Sequence, residues 1–350
     1  MSRRTFLIGI ASSLLVLGAV ATIAGAAASS GPHLGIMRFS LVKQMRWELL
    51  NVGADGRDQA VIAGGDEEER PLPDLNEFAW SPDGSSLLFT GMTGNLEDET
   101  RRDLFLATAD GESVSLVPGT EGAISPVIAP DGHTFAFERE RRRGRPPGRG
   151  GDVPFYESAS VWLGDLGAAA PRRITPWRHR LRQSPSSFSP DGRTLAVTRL
   201  VGERKPEAIG LKLDGRADSV LERNALQPVY SPDGSKLAFL RGEVERHGNT
   251  TARVTDLYVK SFGGGGTARL TKTSRALELS PSWDPSGQRL AWIEWNPFSS
   301  ESAFFGLGDK LMQANADGSC RIKTLSDRRA AVLAVEWQPG PGREAGPIGC

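Results

Sequence analysis

Apolar and polar residues alternate along this chain in short runs broken by glycine, proline and aspartate, a period of two that predicts β-strands throughout. The runs repeat. FAWSPDGSSLLF from Phe78, PVIAPDGHTFAF from Pro126, SSFSPDGRTLAV from Ser186, PVYSPDGSKLAF from Pro228, PSWDPSGQRLAW from Pro281 and a worn VEWQPG from Val335 are six copies of one cassette. Each reads as a strand, a turn in which proline fixes φ and glycine takes the left-handed conformation, and a second strand. A second pattern lies between the copies, as in DLFLATADGESVSLV from Asp103 and DLYVKSFGGGGTARLT from Asp256, and supplies another hairpin. Two hairpins per repeat make four strands.

The cassette prolines, Pro82, Pro130, Pro190, Pro232, Pro285 and Pro339, are 48, 60, 42, 53 and 54 residues apart. That is the period of a four-stranded propeller blade, so an all-β, six-bladed β-propeller of antiparallel blades is expected. The hairpin pattern also precedes the first cassette, as WELLNVGADGRDQAVIA from Trp47, whereas the last cassette has no partner behind it. Closure therefore requires the strand around Val335 to Trp337 to lie innermost in a blade whose outer strands come from about Ile36 to Ala63.

The cassette (S/P)xWSPDGxxLAF followed by (I/L)Y(V)xDxDGxxxRLT resembles the TolB-type propeller repeat, a relative of the WD-type repeat, over about residues 36 to 340. The resemblance implies the propeller fold. Such propellers occur in the periplasmic Tol-system protein, in surface binding proteins and as gating domains of prolyl oligopeptidase-like enzymes. About thirty-five residues precede the repeats here, where the Tol-system protein has a separate domain.

Ahead of the repeats, Arg3 and Arg4 are followed by an uncharged stretch from Thr5 to Ala28 that ends in three alanines. This reads as a signal peptide over residues 1–28, with a twin-arginine flavour in Ser2-Arg3-Arg4-Thr5-Phe6-Leu7. The other reading is an uncleaved anchor, because some twenty apolar residues can span a bilayer. Both place the propeller outside the cytoplasm. The expected organisation is then a linker at 29–35, the propeller at 36–340 and a Gly/Pro-rich tail at 341–350. Charge is balanced, 42 Lys and Arg against 42 Asp and Glu, which argues against nucleic acid as a partner. Two cysteines, Cys320 and Cys350, invite a disulfide tying the tail to the ring in an oxidising compartment.

No nucleophile elbow, HExxH, Walker or CxxC motif is present, and the four histidines, His33, His133, His179 and His247, have no ligand-like spacing. The recurring Asp83, Asp131, Asp191 and Asp233 sit where a turn aspartate caps backbone N–H groups. The recurring Trp80, Phe188, Tyr230, Trp283 and Trp337 fit blade-to-blade packing. What differs between blades is more informative. In an up-and-down blade the regular turns share one face of the disk, and the insertions and crossovers share the other. The insertions carry separated charge: Asp66, Glu67, Glu68, Glu69, Glu97, Asp98 and Glu99 near the first blade, then Arg139, Arg141, Arg142, Arg143, Arg145, Arg149, Arg178, Arg180 and Arg182 around the second and third. Phe298, Phe304 and Phe305 add aromatics in the fifth. A bipolar face can steer an ionic partner, and solvated loops are the plainer reading.

The expectation is a non-catalytic, exported binding or scaffold protein that takes a protein, peptide or cell-envelope component on its insertion face and channel mouth. It needs no cofactor, acts as a monomer and touches membrane only through residues 5–28 if these are retained. The alternatives are a propeller enzyme, lyase-like with a metal near His179 and His247 or hydrolase-like, and a membrane-anchored sensor or assembly accessory.

Overall fold

The computed structural model describes residues 31–40, 46–65, 72–92, 102–142, 156–168, 170–202, 205–247, 250–298, 310–326 and 330–350. These form six four-stranded antiparallel sheets, each following chain order from its innermost strand outward, except the one that closes the ring. The inner strands of blades one to five are Leu72–Trp80, Ala123–Ile128, Leu181–Phe188, Leu226–Tyr230 and Leu277–Trp283. The closing blade takes its inner strand, Ala330–Trp337, from the C-terminal end and pairs it with His33–Ser40, Arg46–Gly53 and Ala60–Gly65. Leu34 faces Trp337 and Ile36 faces Val335 across that junction, as closure requires. The first strand opens at His33, three residues ahead of the expected Ile36.

Both faces of every blade are covered by neighbours, so alternate positions on both sides are apolar. The buried side chains fall into clusters that each straddle one seam. Leu34, Ile36 and Trp337 of the closing blade meet Ala291, Ile293 and Leu311 of blade five, and Met37 and Leu49 meet Phe78, Trp80 and Phe89 of blade one. Phe135 and Phe137 fill the seam between blades one and two, and Leu240 and Trp292 that between four and five. Truncating one such aromatic to alanine costs about 3–5 kcal/mol.

The threonine closing the second hairpin pattern has a recurring task. The hydroxyls of Thr120, Thr175 and Thr271 accept the N–H of Leu104, Val161 and Leu257, respectively, at 2.8–3.0 Å. Each crossover is thereby tied to the third strand of the blade it leaves, which fixes where the next inner strand begins.

Candidate functional site

The inner strands leave one edge unpaired toward the ring axis. There they enclose a cavity of about 440 Å³ walled by the same cassette positions of all six blades, including Trp80, Phe188, Tyr230, Trp283 and Trp337. The six cassette prolines rim one end of it. An open edge also explains the second set of prolines. Pro126, Pro228 and Pro281 lie two residues before Ile128, Tyr230 and Trp283, where a strand N–H points inward and no ladder bond is lost. In each case the preceding residue, Ser125, Gln227 or Ser280, has positive φ and sits in a break of register. Bulges of this kind re-aim the strand.

The N–H of each cassette aromatic points out of its own sheet, because the next residue makes the ladder bond, as Ser81 does to Ser86. At three seams the preceding blade supplies an acceptor. Trp80 N–H donates to Glu336 Oε2 (3.2 Å), Tyr230 N–H to Ser187 Oγ (3.0 Å) and Trp337 N–H to Ser282 Oγ (3.0 Å). At the other three the corresponding residue is Ala79, Val127 or Val229, which has no side-chain acceptor to offer. Among the described residues lining the cavity, Glu336 alone is charged. The aromatics do pack between blades, since Trp80, Trp283 and Trp337 are almost fully buried in the seam clusters. They also form the channel wall, a role the repeat pattern alone does not reveal.

The cassette aspartates cap turns. Asp83 Oδ1 accepts from Ser81 Oγ (2.6 Å), Ser85 N–H (3.0 Å) and Ser85 Oγ (2.8 Å), and Gly84 N–H closes the turn onto the Ser81 carbonyl. The donating serine hydroxyl holds Asp83 and Asp191 below the usual carboxylate range, and Ser231 with Ser235 brings Asp233 down to about 2. Successive turns interlock: a Cβ on Gly234 or Gly287 would touch the cassette proline of the preceding blade, and one on Gly84 would strike the Pro339 carbonyl.

Beyond Pro339 the tail crosses this same end of blade five. Arg289 donates to the carbonyls of Ala345 and Gly346, Asn315 exchanges two hydrogen bonds with Ile348, and Cys350 is disulfide-bonded to Cys320.

At the opposite end, the arginines expected to meet a partner differ in their engagement. Arg139 lies 4.1 Å over the Trp162 ring and donates to the Gly119 carbonyl (2.8 Å), so it is a packing residue of the seam between blades one and two. Arg182 bridges Glu138 and Glu140 at 3.1 Å each, two acids that sequence reasoning did not single out. Arg141, Arg178 and Arg180 are exposed. Arg142 ends a strand, and the placement of its side chain is not described. Arg143, Arg145, Arg149, Glu97, Asp98, Glu99, Phe304, Phe305 and residues 66–69 lie outside the described residues. Phe298 packs edge-on against His247 (5.7 Å), at the tip of a hairpin in which Lys236–His247 and Thr250–Ser261 project beyond the blade. Among the described residues no group of three or more His, Cys, Asp or Glu is placed to hold a metal ion.

A buried acid marks the seam between blades four and five. Glu278 occupies the position held by Ala123, Gln183 and Val332 in other inner strands and by Ala225 just ahead of blade four's, and it is fully buried. Its carboxylate accepts from Thr271 Oγ1 (2.7 Å) and Thr273 Oγ1 (3.1 Å), and Asp256 accepts the Thr273 N–H (2.9 Å). Burial pushes its carboxyl up to about 7, with Asp256 adding to the rise and the threonine hydroxyls and Arg321 opposing it.

No protein-family model matches the chain. A 99-residue segment, 28% of the chain, is 41% identical to the Tol-Pal system protein TolB of Anaeromyxobacter dehalogenans and spans 20% of that relative's length. In fold, the chain is similar to TolB from Acinetobacter baumannii (18% identity, TM-score 0.64, covering 88% of this chain and 67% of that one). It is also similar to a putative TolB from Agrobacterium tumefaciens (18% identity, TM-score 0.55, covering 88% and 99%). With its six cassettes and closed ring, the chain is a six-bladed β-propeller, and it is similar to TolB proteins in one segment of its sequence and in its fold.

Proposed function

We propose that this chain is an exported, non-catalytic binding protein of the cell envelope that holds a segment of a protein partner in its channel, with the insertion face steering the approach. The observation that carries this is the channel itself. It is a largely apolar cavity with a few polar groups at defined positions, built on rigid inner strands. Similarity to Tol-Pal relatives supports an envelope role among protein partners. The N-terminal Arg-Arg and apolar stretch, together with the Cys320–Cys350 bond, support an oxidising compartment outside the cytoplasm.

A photo-crosslinking amino acid placed at Ser186 in the channel, and separately at Val220 on the outer strand of blade three, tests the reading in intact envelopes. A discrete protein adduct from position 186 and none from 220 is expected. Adducts from 220 alone, or from neither, would overturn it.

A further inference from the structure

Blade five departs from the repeat where the tail crosses it. Its cassette reads Asp284-Pro285-Ser286-Gly287, so a carboxylate stands where Ser81, Ser189 and Ser231 stand, and a serine takes the place of the usual aspartate. In those other blades the serine hydroxyl accepts the N–H of the residue five further on, Ser86, Thr194 or Lys236, at 2.9–3.0 Å. A hydroxyl has one oxygen to offer and a carboxylate two. Asp284 Oδ1 accepts the Arg289 N–H (2.6 Å) and so closes the turn, while Oδ2 accepts from Ser286 and from the N–H of Ala345 in the tail (3.2 Å). Asp284 is fully buried, and Ala345 packs on the cluster that joins blade five to the closing blade. The next departure has the same sense. Arg289 stands where Ser86, Thr134, Thr194 and Lys236 stand elsewhere, and its guanidinium donates to the Ala345 and Gly346 carbonyls. Asn315 adds its pair to Ile348. Nearer Pro339, Arg343 of the tail donates to the Gly31 carbonyl (3.0 Å) and lies 2.6 Å from His33 Nδ1, where the first strand begins.

We propose that residues 341–350 are a strap with a redox catch: the altered cassette of blade five is its receptor, and the Cys320–Cys350 bond holds it there until a dithiol reductant releases it, the propeller staying folded. The receptor alone is a weak hold. It offers a handful of hydrogen bonds, each of which nets little against water, and Gly342, Gly346 and Gly349 make the tail costly to order. The disulfide fixes the far end, so the hydrogen bonds have only a closed loop to hold. Cys350 is exposed, so a thiolate can reach its Sγ. Attack there breaks the S–S bond, forms a mixed disulfide with Cys350 and leaves Cys320 as a thiolate that takes up a proton. The second thiol of the reductant then displaces Cys350, so the dithiol gives up two electrons and two protons and both cysteines end as thiols. Release uncovers Asp284 and Arg289 next to Pro285 on the channel rim and frees Gly31 from Arg343.

Hydrogen–deuterium exchange of the full chain near neutral pH, read by mass spectrometry with and without dithiothreitol, tests this. On reduction, the fragment carrying the Ala345, Gly346 and Ile348 amides is expected to exchange about tenfold faster or more, while the inner strands of all six blades stay protected on that timescale. Reoxidation should restore the slow exchange. Asp284→Ser and Arg289→Thr, which put back residues of the regular cassette, should each speed exchange in the same fragment several-fold with the disulfide intact. Unchanged tail exchange on reduction would overturn the catch. Deprotection of every blade together with the tail would overturn the strap, since the bond would then hold the whole fold. Tail exchange in both variants equal to that of the parent would overturn the receptor.

Discussion

Replacing Glu278 with glutamine, the residue found at the equivalent buried position Gln183 of blade three, isolates the consequence of placing a carboxyl there. In the folded chain the group holds its proton up to about pH 7, against an ordinary value of 4.5. The unfolded chain therefore binds fewer protons than the folded one between those values, and stability falls as pH rises through that window. The difference between about 7 and 4.5, at about 1.4 kcal/mol per pH unit, amounts to about 3–4 kcal/mol, lost as pH rises through 7. Glutamine preserves the shape, still accepts from Thr271 through its oxygen and donates to the Thr273 hydroxyl through its nitrogen, and does not titrate. Equilibrium urea unfolding of both proteins at intervals from pH 4.5 to 8 should give curves that nearly coincide at the acid end. They should diverge until the variant is more stable by up to about 3–4 kcal/mol at pH 8. Other titrating groups cancel in the difference. A difference independent of pH, or one in which the parent gains on the variant as pH rises, would refute the argument.

Three further outcomes follow from the same geometry. Cys350→Ser opens a covalent loop between residues 30 apart and frees the tail from blade five, and calorimetry should register a loss of roughly 3–4 kcal/mol, matched by reducing the parent with dithiothreitol. Equal stability of reduced and oxidised protein would contradict this. Ser282→Ala leaves the Trp337 N–H without its acceptor at the closing seam and should cost about 1–3 kcal/mol in urea unfolding, and an unchanged midpoint would show that this hydrogen bond does not hold the ring. Gly84 and Gly167 both have positive φ, yet only Gly84 is packed, against the Pro339 carbonyl. Gly167→Ala should cost about 1 kcal/mol and Gly84→Ala clearly more, and equal midpoints would remove the interlocked turns from the account.

The fold was legible because a propeller repeats its instructions. Ser-Pro-Asp-Gly states a turn, and the alternation on either side states two buried faces. The unpartnered VEWQPG copy states which strand must close the ring, and Trp337 is indeed found opposite Leu34. What did not show was which repeated residues also face the axis. Packing between blades and exposure to the channel demand the same large aromatic at the same position, so Trp80 and Trp283 satisfy both demands with one identity. The insertion loops drew attention through charge, yet a charge pattern does not tell an exposed guanidinium from one consumed internally. Arg139 lies on Trp162, and Arg182 spans Glu138 and Glu140.

The informative signal lay in a quieter column of the repeat, the residue just before each aromatic, which runs Ala79, Val127, Ser187, Val229, Ser282, Glu336. Read along the chain it looks like drift between small residues. Read around the ring it decides, seam by seam, whether the preceding blade offers a side-chain acceptor to an inward N–H. A six-fold repeat builds a wall that is the same on every side, and only departures from the repeat can give that wall a direction. Glu336 sits in the most worn copy of the cassette, and among the described residues lining the channel it is the one charged side chain.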